Sequence, residues 1–240
     1  TGTNVWQTAG AGNFANDPSW SLSHVPTSTE KAQIPNGANV TVNSDVGSNA
    51  VVQITNGTLT LAANGLLTTN VDLAPGNGPG SANLALNGGM LTVGQISVDN
   101  GATGGTGTKS VSFNGGTLVT TQSFALAGSN LTTTVGAGGA NIQTQPGSVV
   151  TWNPALTAAP GATLTKGGSG SLLLQAGGFN GAVTIQAGTL SVAGDVGISS
   201  ATLQLGDPTT TGGDSATLAF SAPATLRAPL AVGSTSGFGT

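Results

Sequence analysis

One pattern recurs along this chain and restricts its fold more than any other feature. An apolar residue is followed by apolar residues two and seven positions on, by glycine five positions on, and usually by a fourth apolar residue nine positions on. Val52, Ile54, Gly57, Leu59 and Leu61 fit this pattern, as do Leu84, Leu86, Gly89, Leu91 and Val93. Val111, Phe113, Gly116 and Leu118 fit it with Thr120 in the last place, and Val183, Ile185, Gly188, Leu190 and Val192 complete the set. Each half of the unit places two apolar side chains on one face of a short strand. The glycine stands where the chain must turn, a position that favours φ > 0. The odd step between the halves keeps both apolar faces on one side only if the corner resets the alternation. A hairpin does this, and so does the corner of a solenoid.

The units start 32, 27 and 72 residues apart, periods that suit the coils of a β-solenoid with insertions. Weaker strand pairs lie between them, such as Phe124 with Leu126 and Val150 with Trp152. Helix is disfavoured throughout, because Gly, Thr, Asn and Ser interrupt every helical window. With roughly 20–30 residues per coil, the chain holds about eight to twelve coils. Stacked about 4.8 Å apart, they would form a rod on the order of 50 Å long.

Composition narrows the chemistry. Four basic and eight acidic residues make 5% of the chain charged, with a net charge of −4, against about 25% charged in an ordinary domain. The acidic balance argues against nucleic acid as a partner. No Cys and a single His leave no basis for a disulfide scaffold, a thiol enzyme or a zinc site. No metal and no cofactor is expected. No run approaches the ~18 apolar residues of a transmembrane segment. The chain opens at Thr1 with no leader-like stretch, which reads as a mature or trimmed fragment.

Residues 164–194 carry a more specific signal. Leu164, Thr165, Lys166, Gly168, Gly170, Leu172, Leu174, Phe179, Gly181, Ile185, Gly188, Thr189 and Leu190 resemble the autotransporter-associated β-strand repeat of large bacterial surface proteins. Phe179 stands where that repeat usually has Tyr, and the stretch before it is one residue short. Trp6, Phe14, Asn16, Asp17, Pro18, Ser19, Trp20 and Pro26 resemble the Trp-rich opening that often precedes such repeats. The resemblance implies an all-β, right-handed parallel β-helix on a secreted or cell-surface protein, with an N-terminal capping segment and no catalytic residues. The cap would span residues 1–37 and the β-helix residues 38–240. Residues 74–81 and 99–109 read as loops.

The polar residues offer little that converges. The acids, Asp17, Glu30, Asp45, Asp72, Asp99, Asp195, Asp207 and Asp214, mostly adjoin Gly, Asn or Pro, which reads as turn and surface placement. A polysaccharide-degrading β-helix would need two of them brought together by stacking. Asp99, in a Gly-rich stretch, is a thin basis for calcium. His24 reads as structural, and Glu30 and Lys31 as solvated. Trp6, Trp20 and Trp152 could stack on sugars, but covering the first coil is the better reading for Trp6 and Trp20. An outward hydroxyl ladder would be built from Thr58/Thr60, Met90/Thr92, Thr117/Val119 and Thr189/Ser191, and it is defective at Met90 and Val119.

The expected function is therefore a non-enzymatic extracellular structural protein at the bacterial cell surface. It would be a subunit of a filament, sheath or stalk, self-associating head to tail into a homopolymer. The candidate cap or assembly residues are Trp6, Phe14, Trp20, Leu218, Phe220, Leu230 and Phe238. An adhesin-type passenger, with glycans or other surface proteins as partners, is the alternative.

Overall fold

In the computed structural model the chain is all-β, a parallel β-solenoid of about nine turns. Residues 2–101, 105–197, 201–207 and 215–232 are described. Among them the strands form three sheets, of twelve, seven and five strands. Each coil runs along three faces in turn. The first face includes Met90–Val93, Thr117–Thr120 and Ala140–Thr144. The second includes Lys31–Ile34 early and Val149–Trp152 and Ser171–Leu174 late. The third includes Ala38–Val42, Gly57–Leu61 and Ser81–Leu86. Nine turns at about 4.8 Å per strand spacing give a rod of roughly 45 Å.

Stacking in register makes the core. On the third face Val40, Leu59, Leu84 and Val111 stand opposite one another in successive coils, all buried. On the first face the inward column runs Leu67, Leu91, Leu118 and Ile142. Side chains alternate in and out along each strand, so one column per inward position fills the interior. Each such fully buried aliphatic contributes about 1.5–3 kcal/mol relative to exposure. Trp152 packs against Phe113 with ring centroids 6.0 Å apart. Its indole N–H donates to Thr133 Oγ1 at 3.0 Å, which satisfies the one polar group this ring buries.

All sixteen non-glycine positions of the recurring unit are buried, and the unit is a solenoid corner, not a hairpin. It does not mark one particular corner. Val52–Leu61 crosses from the second face to the third, Leu84–Val93 and Val111–Thr120 from the third to the first, and Val183–Val192 from the first to the second. The spacing between coils also varies, from 17 residues where Phe179 faces Val196 to 30 where Val196 faces Leu226. The segment 164–194 forms the tightest coils. Phe179 is buried and bridges Val196 in the next coil.

Two strands, Asp45–Ile54 and Leu66–Leu73, are long enough to run along both the first and second faces. The strand Leu66–Leu73 pairs forward with Met90–Val93 through its first half and with Ile96–Val98 through its second. There the second-face ladder stops. Ile96–Val98 pairs only with the preceding coil, and Phe124–Leu126 pairs only with the following one.

The ladders begin within residues 1–37, since Thr3–Val5 pairs with Lys31–Ile34 and Ala11–Asn13 with Ala38–Val42. The outer edge of Thr3–Val5 is covered by the chain itself. Ser21 N donates to Val5 O and Gln7 N to Ser19 O, both at 2.8 Å. Trp20 lies edge-on to Trp6 and to Phe14, at 5.0 and 4.9 Å. Thr108 and Lys109, placed in a loop by sequence, begin the strand Thr108–Phe113.

The corner glycines answer to two constraints. Gly89 has φ +61°, and a Cβ there would stand 2.3 Å from Gly65 O in the coil below. Gly161 has φ +78° with nothing within 4 Å of such a Cβ. Replacing Gly161 by Ala is expected to cost about 1–2 kcal/mol, the left-handed penalty alone. Gly89→Ala adds a backbone clash between coils and is expected to cost at least twice as much, read as the larger fall in denaturation midpoint.

Candidate functional site

Three places bring chemistry together: the last coil, a groove on the flank, and two lysines inside the rod. The sequence-predicted cap residues Trp6, Phe14 and Trp20 are all buried. They plug the first coil and present no surface to a partner. At the other end Phe220, Leu230 and Val232 are 43%, 51% and 48% exposed, and Leu218 is half-buried. These residues sit on Ala216–Phe220 and Leu230–Val232, the last described strands of their sheets. Phe238 lies outside the described residues.

The groove, of about 560 Å³, lies where the second-face ladder is interrupted. Lys31, Gln53, Asp72, Ser97, Asn100 and Phe124 are among the residues that line it. The alternation of the second face turns Gln33, Gln53, Asp72 and Ser97 outward in register. Asp72 is nonetheless buried, and its carboxylate is held by three neutral donors. Ser97 Oγ and Asn100 N donate to Oδ1, and Gln53 Nε2 to Oδ2, all at 3.0 Å. Gln53 Oε1 in turn accepts from Gln33 Nε2 at 3.1 Å and from Lys31 Nζ at 3.3 Å. Such a chain fixes every member in one orientation. Lys31, read from sequence as solvated, is thus tied into it.

Among the described residues Asp72 is the single acid on this groove. The other acids hold turns or corners. Asp17 accepts from Val25 N at 2.7 Å, Glu30 from Thr27 N and Asp45 from Gly47 N, both at 2.9 Å. Asp195 accepts from Thr225 N and pairs with Arg227, contacts that hold its carboxyl below the usual range. Asp214 lies outside the described residues. His24 is half-buried and stands 3.5 Å from Glu30. All three tryptophans are buried, so none stacks on a ligand at the surface. Of the four outward pairs considered for a hydroxyl ladder, Met90/Thr92 and Thr117/Val119 stand in register on the first face, whereas Thr58/Thr60 and Thr189/Ser191 lie on the third and second faces, so the four do not form one ladder.

Sequence reasoning missed the two interior lysines. Lys166 occupies an inward position between Ile142 and Ile185. Its Nζ donates to Gly167 O, Gly168 O and Ala187 O at 2.7, 2.8 and 3.1 Å. It thereby satisfies corner carbonyls of its own coil and of the next. Lys109 is equally buried, 2.8 Å from Asp99, and donates to Gly105 O and Ser129 O. The carboxylate considered for calcium is therefore occupied by an ammonium of the same chain. The only advance signal was an inward-facing position in the period-two alternation.

No protein-family model, curated protein or solved structure matches this chain.

Burial draws the pKa of Lys166 down from 10.5 to about 8. Between those values the unfolded chain binds the proton and the folded chain does not, so stability rises with pH. The expected result is a denaturation midpoint that rises from pH 8 to pH 10.5 in the wild type. Lys166→Met should lose that rise. At pH 7 it should be about 2 kcal/mol less stable, because the carbonyls lose their partner.

Proposed function

We propose that this chain is a non-enzymatic rod of a bacterial surface protein, a stalk or filament element that associates through its last coil. The observation that carries this reading is the contrast between the ends. The second-face edge of the first coil is sealed by Ser19–Ser21 and an aromatic plug. The last described coil presents Phe220, Leu230 and Val232 on strand edges. An unpaired edge with apolar side chains is a template for another strand. Low charge weakens the repulsion that would keep copies apart. The partner is a second copy, whose open third-face edge at Ala11–Asn13 lacks a covering strand among the described residues. The likeness of residues 164–194 to the autotransporter-associated repeat supports placing the rod outside the cell.

A second reading, an adhesin-type module for glycans, is favoured by the flank groove. It combines half-buried Phe124 with the fixed polar groups of Gln53 and Asn100. Saturable oligosaccharide binding that is lost in Asn100→Ala would support it.

Negative-stain microscopy and sedimentation at micromolar concentration test the leading reading. The wild type is expected to form rods whose lengths are multiples of roughly 45 Å. The double variant Phe220→Asp/Leu230→Asp should remain single rods with unchanged circular dichroism. A wild type that stays monomeric across this range would overturn the reading.

A further inference from the structure

The buried Asp99–Lys109 ion pair also places its two groups as a reaction complex would. Nζ lies 2.8 Å from Oδ2, yet among the described residues Oδ2 accepts no hydrogen bond. The ammonium therefore stands against the carboxylate, off the line of a hydrogen bond to Oδ2. Its hydrogens go elsewhere, to Gly105 O at 2.9 Å and Ser129 O at 3.2 Å. With two N–H bonds so committed, the third proton is the one that can pass to Oδ2, and its loss frees the lone pair for the carboxyl carbon. On the far side, Oδ1 accepts the N–H of Gly76 at 2.9 Å. A donor in that place stabilises negative charge as it develops on a carbonyl oxygen.

The surroundings act in the same direction. The two side chains are 0% and 6% exposed. A held contact supplies the proximity that a bimolecular condensation lacks. Asp99 and Asn100 have φ +47° and +55°, a left-handed pair that persists only where the surroundings dictate it.

We infer that Lys109 and Asp99 condense to a side-chain amide, an intramolecular cross-link at the corner between the second and third faces. One proton passes from the ammonium to Oδ2, giving amine and carboxylic acid. The Nζ lone pair adds to Cγ, and negative charge on Oδ1 is held by Gly76 N–H. A second Nζ proton follows to Oδ2, the Cγ–Oδ2 bond breaks, and water leaves. Nothing is oxidised or reduced, and no co-reactant is needed. The product closes residues 99–109 into a ring. It gives a Cys-free chain a covalent staple in the coil that borders the ladder break. This inference does not depend on the proposed function.

Mass spectrometry of the purified, denatured full chain tests it. The expected intact mass is about 18 Da below the sequence mass, the loss of one water. Trypsin should not cut after the acylated Lys109, so residues 32–166 should appear as one peptide with an internal loop in place of 32–109 and 110–166. Asp99→Ala should restore the full mass and the cleavage. The inference is overturned if the wild type gives the two linear peptides at full mass. It is equally overturned if fragmentation places the missing water anywhere other than between Asp99 and Lys109. Both readouts are made on denatured wild-type chain, so they stand even if the variant does not fold.

Discussion

A coil of this protein can bury its apolar side chains only against the coils on either side of it. Everything else in the structure depends on that in-register contact. Parallel ladders set the rise at about 4.8 Å, and like residues then stack on like, as Val40, Leu59, Leu84 and Val111 do. The repeat spacing can vary from 17 to 30 residues between coils because loops at the corners absorb the difference. What cannot vary is the inward column.

The corners are where backbone approaches backbone, and they impose the composition. A Cβ at Gly89 or at Gly188 would stand within 2.3 Å of a carbonyl oxygen of the neighbouring coil. Asparagines satisfy corner N–H groups from one coil away. Asn70 Oδ1 accepts from Gly94 N and Gln95 N at 3.0 Å, and Asn114 Oδ1 from Gly138 N at 2.8 Å. Lys166 and Lys109 do the converse for carbonyls from inside the rod. A buried lysine is costly unless its donors are met. Here corner carbonyls that the strands leave unpaired meet them. The same logic accounts for the chain's richness in Gly and Asn and its poverty in charge.

Much of this architecture was legible in the sequence. Period-two alternation located the inward residues, and the recurring glycine located four corners. The pattern could not say which corner, because Val52–Leu61 and Val183–Val192 carry the same spacing on different faces. That is also why the supposed hydroxyl ladder failed: outward pairs align only when the coil length between them is known. Asp72 looked like a turn residue because its three donors come from strands and loops 19 to 28 positions away. Lys109 was read only as the end of a loop and Lys166 only as a position of the repeat, since nothing local distinguishes an ammonium in a carbonyl cage from one in water. Phe220 and Leu230 were legible as strand residues, whereas their exposure depends on which coil comes last.

The central claim, that coils stack in register along one face, is open to a single distance. Thr41, Thr60, Ala85, Ser112 and Thr134 stand opposite one another in five successive coils. Thr41 and Thr134 are therefore four rungs apart, about 19 Å, although 93 residues separate them in sequence. The chain has no native cysteine, so Thr41→Cys/Thr134→Cys can be spin-labelled cleanly. Double electron–electron resonance should give one narrow distribution centred near that distance once the label arms are allowed for. A broad distribution, or one centred beyond about 35 Å, is incompatible with four stacked rungs and would contradict the solenoid register.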